Sequence, residues 1–224
     1  MRIRSVVAAI ALSTLALAGM SAQVRAATIV QAINFGPLGA NASTPLSFLT
    51  FNSALGTLNS VTITLDTTLS ARVLVNNLTA GSLTWTSATG SINTTATGPA
   101  GTSTATALAI VDNTGGTLGP GGSYTGGFIE DTDDDTANVA PADFAAYIGD
   151  GFTSYDITVA SGPFGVTGNG DDGLLYGGNA NVTGTVTVTY DYTAAAVPEP
   201  GTLALLAPAL LMGGVVVARR RRSA

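Results

Sequence analysis

Apolar and polar residues alternate along much of the chain between residues 27 and 196. The clearest run, Val182–Tyr192, alternates valine with threonine over nearly its whole length, and Val61–Asp66 and Ala71–Val75 follow the same period. A period of two predicts strands with one face buried. Further predicted strands are Thr28–Phe35, Leu46–Phe51, Ser82–Ser87, Ala105–Asp112, Tyr124–Glu130 and Tyr155–Ala160.

Glycine-rich segments punctuate these strands and predict turns. They are Gly115-Gly116, Gly119–Gly122, Gly168–Gly173 and Gly177–Asn179. Only Pro141–Ile148 predicts a helix, with proline at its first position and Gly149 as its stop. Eight to ten short strands joined by turns predict an all-β body, an antiparallel β-sandwich or jelly roll.

The N-terminus has the layout of a secretory signal peptide. Basic Arg2 and Arg4 precede an apolar run, Val6–Leu17, which is too short for a permanent membrane span. Small side chains at Val24 and Ala26 predict cleavage between Ala26 and Ala27. We therefore expect residues 1–26 to form a signal helix that directs export through signal peptidase.

The C-terminus carries a second signal. Two prolines in Val197–Gly201 interrupt regular structure, and Gly201–Ala218 is uncharged. As a helix these eighteen residues reach about 27 Å, close to the thickness of a hydrocarbon core. The basic cluster Arg219, Arg220, Arg221 and Arg222 predicts a stop-transfer signal on the cytoplasmic side. Residues 197–224 thus predict a single transmembrane helix in the inner membrane.

The order of these three features resembles the PEP-CTERM sorting signal. Pro198, Glu199 and Pro200 supply its triplet, and the apolar run and the arginine cluster follow in turn. The resemblance implies a Gram-negative bacterium, recognition and processing by an exosortase, and an association with an exopolysaccharide matrix. A transient membrane anchor followed by release to the cell surface or matrix is the implied route. A plain single-pass anchor is the alternative.

A second resemblance covers most of residues 27–193. The run from Leu49 to Leu65 is similar to the N-terminal signature of the choice-of-anchor E domain. The matching residues are Phe51, Asn52, Leu55, Gly56, Thr57, Leu58, Val61 and Leu65. The closing Val182–Tyr192 strand also resembles the end of that domain. The resemblance implies a surface domain, residues 27–196, that carries an exchangeable anchor, and it supplies no catalytic residues.

Missing residue types exclude several chemistries. The chain has no cysteine and no histidine, and all eight of its basic residues are arginine. Disulfides, thiolate nucleophiles, Ser-His-Asp triads and Schiff-base lysines are therefore excluded. Residues 27–196 hold thirteen acids against Arg72, a net charge of −12 that repels nucleic acid and anionic lipid headgroups. We therefore expect no DNA or RNA partner and no peripheral membrane binding.

The acidic segment Glu130–Asp135 is the most suggestive local feature. Asp131, Asp133 and Asp135 have the alternating spacing found in calcium loops, with Asp171 and Asp172 as ligands from a neighbouring loop. The EF-hand pattern itself fails, because the glycine and the closing glutamate are missing. The alternatives are a calcium site and a solvated acidic turn that caps the helix beginning at Pro141.

Two function classes follow. The first is a non-catalytic surface or matrix protein with a structural or adhesive role, and we expect no enzymatic activity and no cofactor other than calcium. The second is a carbohydrate-binding or carboxylate-based carbohydrate-cleaving sandwich. Trp85 is the candidate stacking platform for a sugar, although a lone tryptophan is more often part of a core. Facing carboxylates in a groove lined by Trp85 or tyrosines would favour the second class.

Overall fold

The computed structural model describes residues 25–101 and 104–195. Residues 1–24 of the predicted signal helix and all of the predicted transmembrane helix lie outside these ranges, and Ala26 is the first residue of a strand. Within them, no helix is long and apolar enough to cross a membrane. Residues 27–192 form a compact unit built almost entirely of strands.

The longest strand explains how the alternating pattern builds the core. β4 (Gly56–Asn77) continues through both predicted strands, Val61–Asp66 and Ala71–Val75, and its odd-numbered residues from 61 to 77 are all buried. Their neighbours face outward and are mostly threonine, serine and asparagine. The other strands are β1 (Ala26–Gly39), β2 (Ser43–Leu49), β3 (Phe51–Asn52), β5 (Leu83–Thr97), β6 (Thr104–Leu118), β7 (Ser123–Thr125), β8 (Ile129–Asn138), β9 (Ile148–Gly149), β10 (Ser154–Ser161), β11 (Gly165–Gly170) and β12 (Leu174–Ala194).

Two five-stranded sheets pack face to face in a sandwich-like arrangement. Sheet A has the order β1-β12-β4-β7, and β8 also pairs with β4. Sheet B has the order β11-β5-β10-β2, and β6 pairs with the other side of β5. The β4–β8, β5–β6 and β10–β2 pairs are antiparallel. Strands β8 and β6 therefore lie at one long edge of the two sheets, and strands β1 and β2 lie at the other.

The interior contains a large core and a smaller one. The large core joins Phe48, Phe51, Leu65, Ile157 and many other apolar side chains of both sheets. The smaller core is formed by Val73, Val75, Trp85 and Ala88. Because each strand contributes alternate residues, both cores follow from the period-two pattern. The all-β prediction is confirmed.

Several local predictions are wrong, including the single strand Tyr124–Glu130, which is interrupted between Thr125 and Ile129. Pro141 does begin a helical segment, but this is a short 3-10 helix, Pro141–Ala146, that ends at Tyr147 before β9. The pairs Gly115-Gly116 and Gly177-Gly178 lie inside β6 and β12 instead of in turns. Gly115 is required there because a Cβ atom would clash with the carbonyl oxygen of Trp85. Gly115 and Gly178 permit close approach of two backbones, which the sequence pattern does not distinguish from a turn.

Candidate functional site

The acidic segment is a strand edge and not a loop. It lies in β8, whose odd-numbered residues point towards β6 while its even-numbered residues face solvent. One carboxylate oxygen of each of Asp131, Asp133 and Asp135 accepts a backbone N–H of β6. The donors and the N···O distances are Ile110 at 2.8 Å, Leu108 at 2.6 Å and Thr106 at 2.6 Å. We call these three contacts the acidic seam.

The acidic seam satisfies donors that an edge strand would otherwise expose. β6 pairs with β5 on one side only, so the N–H groups on its other side have no strand partner. Carboxylates accept hydrogen bonds but donate none, and hydrogen bonds to charged acceptors are the stronger kind. The seam therefore ties sheet A to sheet B and blocks the addition of a further strand along this part of β6.

The predicted calcium ligands are placed in two separate environments. Asp131, Asp133 and Asp135 contribute to the acidic seam, whereas Asp171 and Asp172 lie in the turn between β11 and β12. Asp171 accepts the backbone N–H of Thr84 at 2.7 Å. Among the residues that the structure describes, no group of three acidic side chains is arranged to hold a metal ion. Calcium binding stays a prediction.

A neutral contact closes the opposite edge. The Gln31 amide of β1 reaches Leu49 at the end of β2, where it accepts the Leu49 N–H and donates to the Leu49 carbonyl, both at 2.9 Å. An amide side chain copies a backbone pair in this way because it carries one donor group and one acceptor. We call this contact the glutamine seam.

Two tyrosines support the glutamine seam from inside. The Tyr190 hydroxyl donates to the Leu49 carbonyl at 2.9 Å, and the Tyr155 hydroxyl lies 2.6 Å from that of Tyr190. Because Tyr190 uses its single proton on Leu49, Tyr155 must be the donor within the pair. Burial raises the pKa of Tyr190 to about 12. Burial, followed by the charge of an ionised Tyr190, raises the pKa of Tyr155 further.

Trp85 lies in the smaller core with only 2% of its surface exposed. Its ring packs at a tilt on Tyr124, with ring centroids 4.9 Å apart. Neither face of the ring is open for stacking on a sugar. Within the described part of the chain, the Nε1 of Trp85, the Nδ2 of Asn113 and the hydroxyl of Tyr176 are buried without a hydrogen-bond partner.

Two carboxylates do face each other on the outer surface of sheet A. Asp66 of β4 and Asp134 of β8 are directly opposite in the strand register and line a shallow groove of about 330 Å³. Like charges in directly opposed positions destabilise a strand pair. The groove is otherwise lined by Gly184, Asp133 and the threonines Thr67, Thr68, Thr132 and Thr185. It contains neither Trp85 nor a tyrosine.

The residues assigned to sorting fall mostly outside the described ranges. Pro198, Glu199, Pro200 and Arg219–Arg222 lie beyond residue 195. Of the predicted signal-peptidase site, Ala26 is the first residue of β1 and is exposed, and Ala27 follows it in the strand. The sorting and processing assignments therefore stay predictions.

Sequence reasoning missed Gln31 and Asn77. Asn77 is 2% exposed, and its amide donates to the carbonyls of Gly81, Leu118 and Gly119 at 2.7, 3.2 and 2.9 Å. The sequence signal for Asn77 was its position at the end of an alternating apolar run, in line with the buried residues. A polar side chain at a buried position requires hydrogen-bond partners.

Comparisons with known proteins do not assign a family. No protein-family model matches the chain, and no curated protein is similar to it. Among solved structures, the chain is 14% identical to that of infectious bursal disease virus Gx strain, over 89% of this chain and 49% of the other, with a TM-score of 0.15. The Gt strain gives 11% identity, 83% and 47% coverage and the same score. This chain thus spans about half the length of those structures, and the fold defines it only as an all-β, sandwich-like protein.

Proposed function

We propose that this chain is a non-catalytic surface or matrix protein of a Gram-negative bacterium, delivered by a PEP-CTERM signal. The observation that carries the proposal is the order Pro198-Glu199-Pro200, uncharged run, arginine cluster, combined with an export signal at the other end. In this route the chain crosses the inner membrane, is held there by residues 201–218 and is cut by an exosortase near the triplet. Its destination is the cell surface or the exopolysaccharide matrix.

Several features of the body support a structural or adhesive role in preference to a catalytic one. The acidic-seam aspartates are engaged by backbone donors, and Trp85 is enclosed in a core. The net charge of residues 27–196 keeps the body soluble in a hydrated matrix. We assign the body a jelly-roll-like sandwich of the choice-of-anchor E type. Carbohydrate binding or cleavage at the groove of Asp66 and Asp134 is the alternative.

The proposal is tested by the intact mass of the mature protein from its own bacterium, recovered separately from envelope and culture medium. Processing at both ends predicts a chain that starts at Ala27 and ends close to Val197. A mature chain that still carries Arg219–Arg222 would contradict exosortase processing and leave an ordinary membrane-anchored domain. A strain without its exosortase is the control, since only the C-terminal boundary should change there.

A further inference from the structure

Several exposed apolar side chains lie near one another at one end of the sandwich-like body. Leu49 and Leu55 line a groove of about 320 Å³ together with Ile29 and Phe152. Ile148 pairs with Phe51 next to the groove. The exposed fractions are 47% for Leu49, 42% for Leu55, 39% for Ile148 and 85% for Phe152. We call these four residues the apolar end.

Phe152 is held outward by its turn. The Asp150 carboxylate accepts the N–H groups of Thr153 at 2.7 Å and Phe152 at 2.9 Å, and these bonds, first that of Thr153, lower the pKa of the carboxyl. Gly151 has a φ of +81°, a conformation that favours glycine. The turn thus presents a large apolar ring to the surroundings, where it gains nothing from water. A cluster of exposed apolar side chains of this kind marks an interaction surface.

The chain leaves the sandwich at the same end. Tyr192 near the end of β12 packs on Phe51, with ring centroids 5.1 Å apart, and the Ala194 N–H donates to the Arg25 carbonyl beside the start of β1. Only residues 196–200 separate Ala195 from the uncharged run that begins at Gly201. Fully extended, this connection spans at most about 20 Å. If residues 201–218 are held in a membrane, the point at which the chain enters that membrane is therefore within about 20 Å of Ala195.

From this geometry we infer that the apolar end docks on the lipid surface while the chain is held in the membrane. The inference rests on the proposed function, because it requires the anchored stage. A few apolar side chains give weak binding from solution, but a short tether raises their effective concentration at the membrane. The excess of acids in the body opposes contact with anionic lipid, so the partner surface is zwitterionic lipid, with Phe152 inserted at headgroup level.

The absence of cysteine allows a single probe to be placed at either end of the sandwich. Phe152→Cys labels the apolar end, and Leu78→Cys labels an apolar residue of 70% exposure just beyond the other end of β4. Both positions are exposed, so we expect both variants to fold. The full chain, labelled with an environment-sensitive fluorophore, is reconstituted into phosphatidylcholine vesicles that contain lipid-borne nitroxide quenchers.

We expect a blue-shifted emission and several-fold stronger quenching at position 152 than at position 78. Adding phosphatidylserine to the vesicles should reduce the difference in quenching between positions 152 and 78, because the acidic body is repelled by anionic lipid. If the protein floats with the vesicles but both fluorophores emit as in an aqueous environment, the docking inference is wrong while the membrane anchor is retained. If the protein does not float with the vesicles, the anchor and the docking both fail. A shift at position 152 that grows with the protein-to-lipid ratio and ignores the lipid quencher would mean self-association, and would also overturn docking.

Discussion

Along one long edge of the sandwich, three aspartates of β8 accept backbone N–H groups of β6, whereas along the other edge one glutamine amide joins β1 to β2. The acidic seam uses charged acceptors in a row and satisfies donors only. The glutamine seam is neutral, satisfies one donor and one acceptor, and is backed by the buried Tyr190 and the half-buried Tyr155. At both edges, side chains make the hydrogen bonds where backbone pairing stops. The two seams should nevertheless be weakened by different changes, the acidic seam by removal of an aspartate and the glutamine seam by alkaline pH.

The largest expected effect is at the acidic seam, where the chain offers a matched pair of neighbouring aspartates. Asp133→Ala leaves the Leu108 N–H without its acceptor, and a lost charge-assisted hydrogen bond should lower the free energy of unfolding by about 1 to 3 kcal/mol. Asp134→Ala removes a solvent-facing charge opposite Asp66, so it should be neutral or slightly stabilising. Urea denaturation of both variants measures the difference.

Equal losses in the two aspartate variants would contradict the acidic seam, because residues 133 and 134 differ mainly in the face of β8 that they occupy. Combining Asp131→Ala, Asp133→Ala and Asp135→Ala should also release the edge of β6. Concentration-dependent self-association of that triple variant, measured by light scattering, would show that the seam protects the edge.

The next effect should appear at alkaline pH and belongs to the glutamine seam. Tyr190 and Tyr155 have raised pKa values in the folded chain, so their stabilising contribution is complete below their ordinary pKa of 10. It is then lost as the pH rises towards about 12, the pKa of Tyr190. Thermal melts between pH 8 and 12 should show this fall. A Tyr155→Phe/Tyr190→Phe variant should be less stable at neutral pH but show a flatter decline, and an equally steep one would exclude the pair as its source.

The smallest effect should come from Gln31. Gln31→Ala removes two neutral hydrogen bonds at a partly exposed position, and the Leu49 carbonyl keeps its bond from Tyr190. We expect a loss of about 0.5 to 1.5 kcal/mol in urea denaturation. Val30→Ala, an exposed neighbour on the same strand, should change stability by less than about 0.5 kcal/mol. A loss from Gln31→Ala larger than that from Asp133→Ala would reverse the ranking of the two edges.

Features created by local interactions could be predicted from the sequence, whereas features created by contacts between distant strands could not. The strand at Val182–Tyr192 was evident from local alternation, because one face of a strand is buried wherever it pairs. The segment Glu130–Asp135 looked like a loop because acidic residues are rare in strands. The role of its aspartates depends on β6, which supplies the three N–H donors, and the segment alone does not indicate that strand. The sequence was compatible with Trp85 as a sugar-stacking platform or as a core residue. The packing of Val73 and Val75 from the other sheet shows that it is a core residue.

By itself the sequence determined the all-β class, the strand faces and the chemistry that missing cysteine, histidine and lysine exclude, since periodicity and composition act over a few residues. Only the tertiary structure decided that β8 and β6 lie at one edge, that Gln31 meets Leu49, and that Phe152 lies at the end where β12 finishes. The hydrogen bonds in the two seams join residues that are 18 to 29 positions apart in the chain. Their partners are fixed by how the two sheets stack, and no local pattern records that stacking.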